Sequence, residues 1–259
     1  MPRLRIADAE IEFEDTGSGV PLLLLHGFPA TRRLWSEVAP VLNARGLRTL
    51  VPDLVGYGAS SAAGVALDMA SQARWMWGLL DALGIGRVWL VAHDVGSAAA
   101  QLMTVAAPAR VAGLAILDGV YRTEWAMDAI ESIRSWDWAQ AQRLPPVLVR
   151  RLGKTAHLRE VLAAYAGEPG GRQLIRAARD LDPRQTADLD AALAASGVRS
   201  LVLWGRDDRY LDLDTVARPL ARLLDAPLAI LPGGHFTPSD CPGEVGEAVG
   251  NFVAAGGNG

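Results

Sequence analysis

Short, mostly apolar runs alternate along this chain with longer stretches whose apolar residues recur at helical spacing. The runs at residues 21–25, 47–51, 88–92, 114–117, 201–204 and 228–231 have the pattern of strands covered by helices on both faces. Residues 35–42, 69–83, 97–106, 216–224 and 244–253 read as helices, several of them closed by Gly or Pro. Strand alternating with helix predicts a mostly parallel, doubly wound α/β sheet. Ahead of the first run, residues 4–14 alternate apolar and polar positions around Ala7-Asp8-Ala9 and stop at Thr16-Gly17-Ser18-Gly19, which predicts an antiparallel hairpin.

One interval breaks the alternation. Residues 121–196 carry no strand pattern, only helical segments bearing Trp125, Trp136 and Trp138. They predict a helical cap inserted between the two parts of a single core, residues 1–120 and 197–259. The closing Gly-Gly-Asn-Gly is expected to fray.

Composition then narrows the function. A chain of 259 residues, half of them hydrophobic, can bury one large core. Its net charge of −4 and its lack of any Lys/Arg cluster argue against nucleic acid or an anionic membrane as partner and leave a small-molecule substrate as the expectation. Cys241 is the only cysteine, so neither an internal disulfide nor a CxxC zinc motif can form. The N-terminus alternates and then turns charged, without an apolar signal core, and no apolar run approaches the ~20 residues needed to span a bilayer. A cytoplasmic protein is expected. Nothing in the sequence fixes its oligomeric state.

The candidate chemistry sits where the run at 88–92 meets the helix at 97–106. Ala92 and Gly96 stand two residues before and after Asp94, and small residues in those places permit a sharp strand-to-helix turn that lifts the central side chain above the sheet. An Asp there also suits a helix N-cap. The two roles are compatible.

These residues carry a resemblance to the α/β-hydrolase family, within it to the aspartate-nucleophile branch of epoxide hydrolases, haloalkane dehalogenases and haloacetate dehalogenases. It covers nearly the whole chain. His26-Gly27-Phe28-Pro29 resembles the family's oxyanion loop, and the loop from Asp53 to Ser60 its next one. Gly205-Arg206-Asp207-Asp208 resembles the segment bearing the acid, and Gly233-Gly234-His235-Phe236 the one bearing the base.

The resemblance implies an α/β-hydrolase fold and a cycle without cofactor or metal. Asp94 would attack a saturated carbon to form an alkyl ester, and His235 would activate the water that hydrolyses it. The backbone N–H groups of Phe28 and Val95 would hold the oxyanion. His26 and His93 adjoin motif positions that the family uses structurally, and His157, among charged cap residues, is expected to be solvated. For the acid that orients His235, Asp208 is placed first and Asp118, at the preceding strand end, second.

The leaving group turns on the residues around Asp94. Haloalkane dehalogenases tend to carry Trp after the nucleophile and Asn or Glu after His-Gly, where this chain has Val95 and Phe28. Haloacetate dehalogenases place arginines after the nucleophile, where this chain has Val95 and Ala98. Epoxide hydrolases use two cap tyrosines, and here Tyr121 and Tyr165 match that spacing poorly. The expectation is therefore epoxide hydrolysis of a bulky apolar or aromatic substrate, with Trp138 before Trp136 donating an indole N–H to the ring oxygen and Tyr165 as a further contact. Dehalogenation is the second reading. A non-hydrolytic, ligand-binding or cyclase-like member of the fold is the third.

Overall fold

The structure is a computed structural model that describes residues 1–62 and 64–257; Asn258 and Gly259, half of the tail expected to fray, lie outside the described residues. Its strands are β1 (Arg3–Ile6), β2 (Ala9–Thr16), β3 (Val20–Leu25), β4 (Leu47–Pro52), β5 (Ser61–Ala62), β6 (Val88–His93), β7 (Val111–Leu117), β8 (Ser200–Gly205) and β9 (Leu228–Leu231). They form one sheet in the order β1-β2-β4-β3-β6-β7-β8-β9, with β5 paired to β2. β3, β4 and β6 to β9 run parallel, whereas β1 and β2 form the antiparallel edge.

The helices are α1 (Val38–Ala44), α2 (Met69–Ala82), α3 (Gly96–Ala106), α4 (Met127–Arg134), α5 (Leu144–Leu152), α6 (Ala156–Ala163), α7 (Gly167–Asp180), α8 (Asp190–Ala195), α9 (Arg218–Leu223), α10 (Thr237–Asp240) and α11 (Pro242–Gly256). Alternate residues of the central strands enter different cores, as pleating requires. Leu23 and Leu25 of β3, with Leu90 and Ala92 of β6, pack on the side of α2 and α3. Leu22, Leu24, Trp89 and Val91 pack on the side of α1 and α11. Burial on both faces is what made these runs apolar rather than alternating. Among the described residues no helix is long and apolar enough to cross a membrane.

Two local readings change. The helix expected at 35–42 is divided, with a 3-10 turn at Arg32–Trp35 capped by the Thr31 side chain and α1 starting only at Val38. Pro40 explains the break, because its ring tolerates the first turn of a helix but would clash with the Ser36 carbonyl inside a longer one. β5 escaped notice because a two-residue strand carries no periodicity.

Helices α4 to α8 all fall between β7 and β8. Polar ties anchor them to the core: the Tyr165 hydroxyl donates to the Ala30 carbonyl at 2.5 Å, and Arg176 donates to the Ala62 and Val65 carbonyls. Asp180 and Gln185 accept the backbone N–H groups of Leu67 and Met69. His157, expected to be solvated, instead lies in the seam, its side chain 12% exposed and its Nδ1 3.5 Å from Glu37. Cap helix α6 packs beside the Arg32–Trp35 turn, and that contact carries His157 out of the solvent.

The turn between β6 and α3 depends on Gly96, where an added Cβ would stand 2.4 Å from the His26 carbonyl oxygen. Backbone cannot yield as a side chain can. We expect Gly96→Ala to destabilise the protein by about 1–3 kcal/mol in urea titrations. Gly243→Ala, in the first turn of α11 with open space around its Cβ position, should instead stabilise it by about 0.4–1 kcal/mol.

Candidate active site

Three strand ends assemble the site. Asp94 follows β6 with φ +52°, a left-handed conformation that an L residue adopts only when its surroundings enforce it. Its carboxylate does not cap α3: Oδ1 accepts the Phe28 backbone N–H at 2.7 Å, and α3 begins without a side-chain cap. Gly27 is required alongside, since a Cβ there would fall 2.3 Å from Asp94 Oδ1.

The second oxygen faces histidine. Asp94 Oδ2 lies 3.4 Å from Nε2 of His235, which follows β9, and His235 Nδ1 lies 2.9 Å from Oδ2 of Asp208, which follows β8. Asp208 Oδ1 is fixed by the backbone N–H groups of Tyr210 and Leu211. The result is an Asp94–His235–Asp208 chain whose three side chains are almost wholly buried.

Burial alone would lower the His235 imidazole, but the charge and hydrogen bond of Asp208, reinforced by Asp94, hold it well above its ordinary value. Burial would likewise raise Asp94, yet the hydrogen bond and charge of His235, helped by the Val95 N–H, bring it below the ordinary carboxylate value. Both directions have one cause: the positive form of His235 and the negative form of Asp94 stabilise each other.

Asp118 stands elsewhere. It is wholly buried, accepts the Gly205 N–H at 2.6 Å and takes the Thr237 hydroxyl, and burial pushes it up to about 8. Of the two candidate acids the structure joins Asp208 to His235, while Asp118 pins the ends of β7 and β8 to α10.

The other two buried histidines are neutral struts. His26 accepts the Leu54 N–H at Nε2 and donates from Nδ1 to the Gly27 carbonyl, with its value lowered by burial. His93 donates from Nε2 to the backbone carbonyl of His235 at 2.8 Å, and burial lowers it to about 4.

A cavity of about 430 Å³ opens onto Asp94 and His235. Phe28, Pro29, Tyr210 and Phe236 line it from the core, and Ile130, Ile133, Trp136, Leu144, Leu148 and Arg151 from the cap. Of the residues expected to touch substrate, Phe28 and Trp136 are there. Trp138 is not: it is 38% exposed, with the Arg179 and Arg172 guanidinium groups 4.7 and 5.4 Å from its ring. Tyr165 is also excluded, buried with its hydroxyl spent on Ala30. The Val95 side chain turns into the core beneath α3, leaving only its backbone N–H at Asp94. Tyr121 bonds Asp190 and does not line the cavity either.

Sequence reasoning missed Tyr210 and Arg151. The Tyr210 ring centre is 5.2 Å from that of His235, and its place two residues after Asp208 on the same loop was the available signal. Arg151 gave none beyond helical spacing. Among the described residues no group of three His, Cys, Asp or Glu side chains is arranged to hold a metal ion.

A sharp turn bearing Asp94, an N–H donor on its carboxylate and a histidine–acid pair at strand ends make an arrangement of the kind a hydrolase needs. The α/β-hydrolase fold family matches residues 20–147, and the chain is a hydrolase of that fold. It is 28% identical to a haloalkane dehalogenase of Mesorhizobium japonicum over 97% of this chain and 90% of that one. It is 35% identical to a fluoroacetate dehalogenase of a Burkholderia species, over 57% of this chain and 51% of the relative. Among solved structures, a haloalkane dehalogenase of Bradyrhizobium elkani superposes with a TM-score of 0.83 at 24% identity, covering 98% and 97% of the chains, which shows the shared fold. A thermophilic esterase of Thermogutta terrifontis superposes with a TM-score of 0.79 at 25% identity over 99% of both chains.

Removing a negative neighbour destabilises the imidazolium. We therefore expect the His235 titration, followed by NMR, to move to lower pH in Asp94→Asn and further in Asp208→Asn, whose charge and hydrogen bond raise it most. Asp118 makes a separate prediction. Its folded-state value lies above that of an exposed Asp, so the folded protein keeps a proton that the unfolded chain releases, and stability falls as pH rises from about 4 towards about 8. Asp118→Asn can keep both hydrogen bonds without titrating, so its melting temperature should fall less than that of the wild type across this window.

Proposed function

We propose that the protein opens epoxides to diols through an ester on Asp94. The observation that carries this reading is the division of labour within one carboxylate: Oδ1 sits on the Phe28 N–H at 2.7 Å while Oδ2 faces His235 Nε2 at a looser 3.4 Å, on a chamber that Asp94 itself lines. An ionised carboxylate needs no base to act as nucleophile. When Oδ2 bonds to carbon, Oδ1 becomes the ester carbonyl oxygen, already resting on the donor that will stabilise the oxyanion once water adds.

Proton balance favours an epoxide. Ring opening leaves an alkoxide that needs a proton, and the His235 imidazolium that Asp208 and Asp94 stabilise would supply one; Tyr210, lining the chamber beside it, has a hydroxyl to relay it. His235, now neutral and facing an ester instead of a charge, takes a proton from water, the hydroxide attacks the Asp94 carbonyl carbon, and the diol leaves. The cycle ends in the protonation state it began from and needs no cofactor.

Trp136, not Trp138, is the indole within the chamber. With Tyr165 and Tyr121 engaged elsewhere, Tyr210 supplies the phenolic donor that the cap does not.

Dehalogenation is the second reading, supported by the activities named for the Mesorhizobium and Burkholderia relatives. It would use the same ester, but a departing halide needs no proton, and Phe28 and Val95 offer it no side-chain donor.

His235→Gln treated with styrene oxide should accumulate a hydroxyalkyl adduct on Asp94, visible by intact-protein mass spectrometry. Turnover without an adduct would refute the assignment. Tyr210→Phe should slow ring opening of styrene oxide by about a hundredfold. Rapid halide release from phenethyl bromide, with no diol from the epoxide, would establish the second reading instead.

A further inference from the structure

The chamber's charges are unevenly placed. Asp94 and His235 lie at its floor, and among the described residues the only other charged one lining it is Arg151, on the last turn of α5. Apolar cap residues, Ile130, Ile133, Leu144 and Leu148 among them, supply most of the wall. A second cavity of about 240 Å³ adjoins this one and shares Arg151, Leu152, Tyr210, His235 and Phe236 with it. Lys154 and Arg209 add two more cations to its lining.

None of these three cations forms an ion pair among the described residues. Of the two acids on the same lining, Asp240 turns Oδ2 to the Gly234 N–H at 2.8 Å, and Asp207, exposed like the three cations, pairs with none of them. A guanidinium beside apolar walls, with no internal counterion, is suited to a carboxylate brought by a ligand. That carboxylate cannot lie at the floor, where Asp94 repels it.

We propose that the site takes substrates with an apolar, aryl-sized body and a carboxylate at the end remote from the reacting carbon, held by Arg151 where the two cavities meet. This deepens the reading given above and rests on the Asp94 chamber being the substrate site. The haloacetate pattern differs, because there the arginines follow the nucleophile and bind a carboxylate adjoining the reacting carbon. Here the cation comes from the cap, and the apolar wall separates the two ends of the ligand.

Equilibrium binding tests this without turnover, so its result does not depend on whether an Asp94 ester forms. 4-Phenylbutyrate and its uncharged amide are titrated into the intact wild-type protein by calorimetry. The carboxylate should bind about fivefold more tightly, as expected for a partly exposed ion pair. The preference should shrink in about 1 M NaCl and approach unity in Arg151→Gln, while Arg151→Lys should retain part of it. Equal or tighter binding of the amide to the wild type, or no saturable binding of either compound, would overturn the proposal, as would a preference that survives in Arg151→Gln. If Arg151→Gln fails to fold, a wild-type preference insensitive to salt overturns it equally.

Discussion

A single left-handed residue organises this site. Asp94 can hold φ +52° only because strand β6 ends and α3 begins on either side of it, with Gly27 and Gly96 leaving room that no Cβ would permit. Strain of this kind costs about 1–3 kcal/mol and persists where the surrounding structure over-determines it. The sheet supplies that constraint, since β6 lies between β3 and β7 and is buried along its whole length. What the strain secures is position: the carboxylate meets the Phe28 N–H from one side and His235 from the other.

The charges around it form a closed arrangement. Buried ions persist when paired and hydrogen-bonded, and here each member of the Asp94–His235–Asp208 chain has a partner. The neighbouring titratable groups avoid charge altogether. His26 and His93 are pushed towards neutrality by burial, and Asp118 towards its protonated form. Those groups hold the loops in place through hydrogen bonds, so the geometry of the Asp94–His235–Asp208 chain depends on residues pushed away from charge.

The cap divides its polar side chains between anchoring and lining. Tyr165 joins the cap to Ala30, Tyr121 meets Asp190, and Trp138 stacks under arginines at the surface. What remains lining the chamber is mainly aliphatic, with Ser132, Trp136 and Arg151 as exceptions and Tyr210 entering from the core. An aromatic residue count could not have separated these fates, because anchoring and lining use the same residue types.

By itself the sequence determined the α/β layering, the parallel strands, the elbow at Asp94 and the strand ends from which His235 and Asp208 reach it. These follow from local patterns: runs buried on both faces, small residues at a sharp turn, polar residues just beyond apolar runs. The tertiary structure alone decided between Asp208 and Asp118, because both follow parallel strands on the same side of the sheet and only the packing of α10 directs Asp118 to Gly205 and Thr237. It also decided which cap residues enter the chamber. Helical periodicity marks the face of a helix that is buried but not what that face is buried against, and that contact is made by residues distant in the chain.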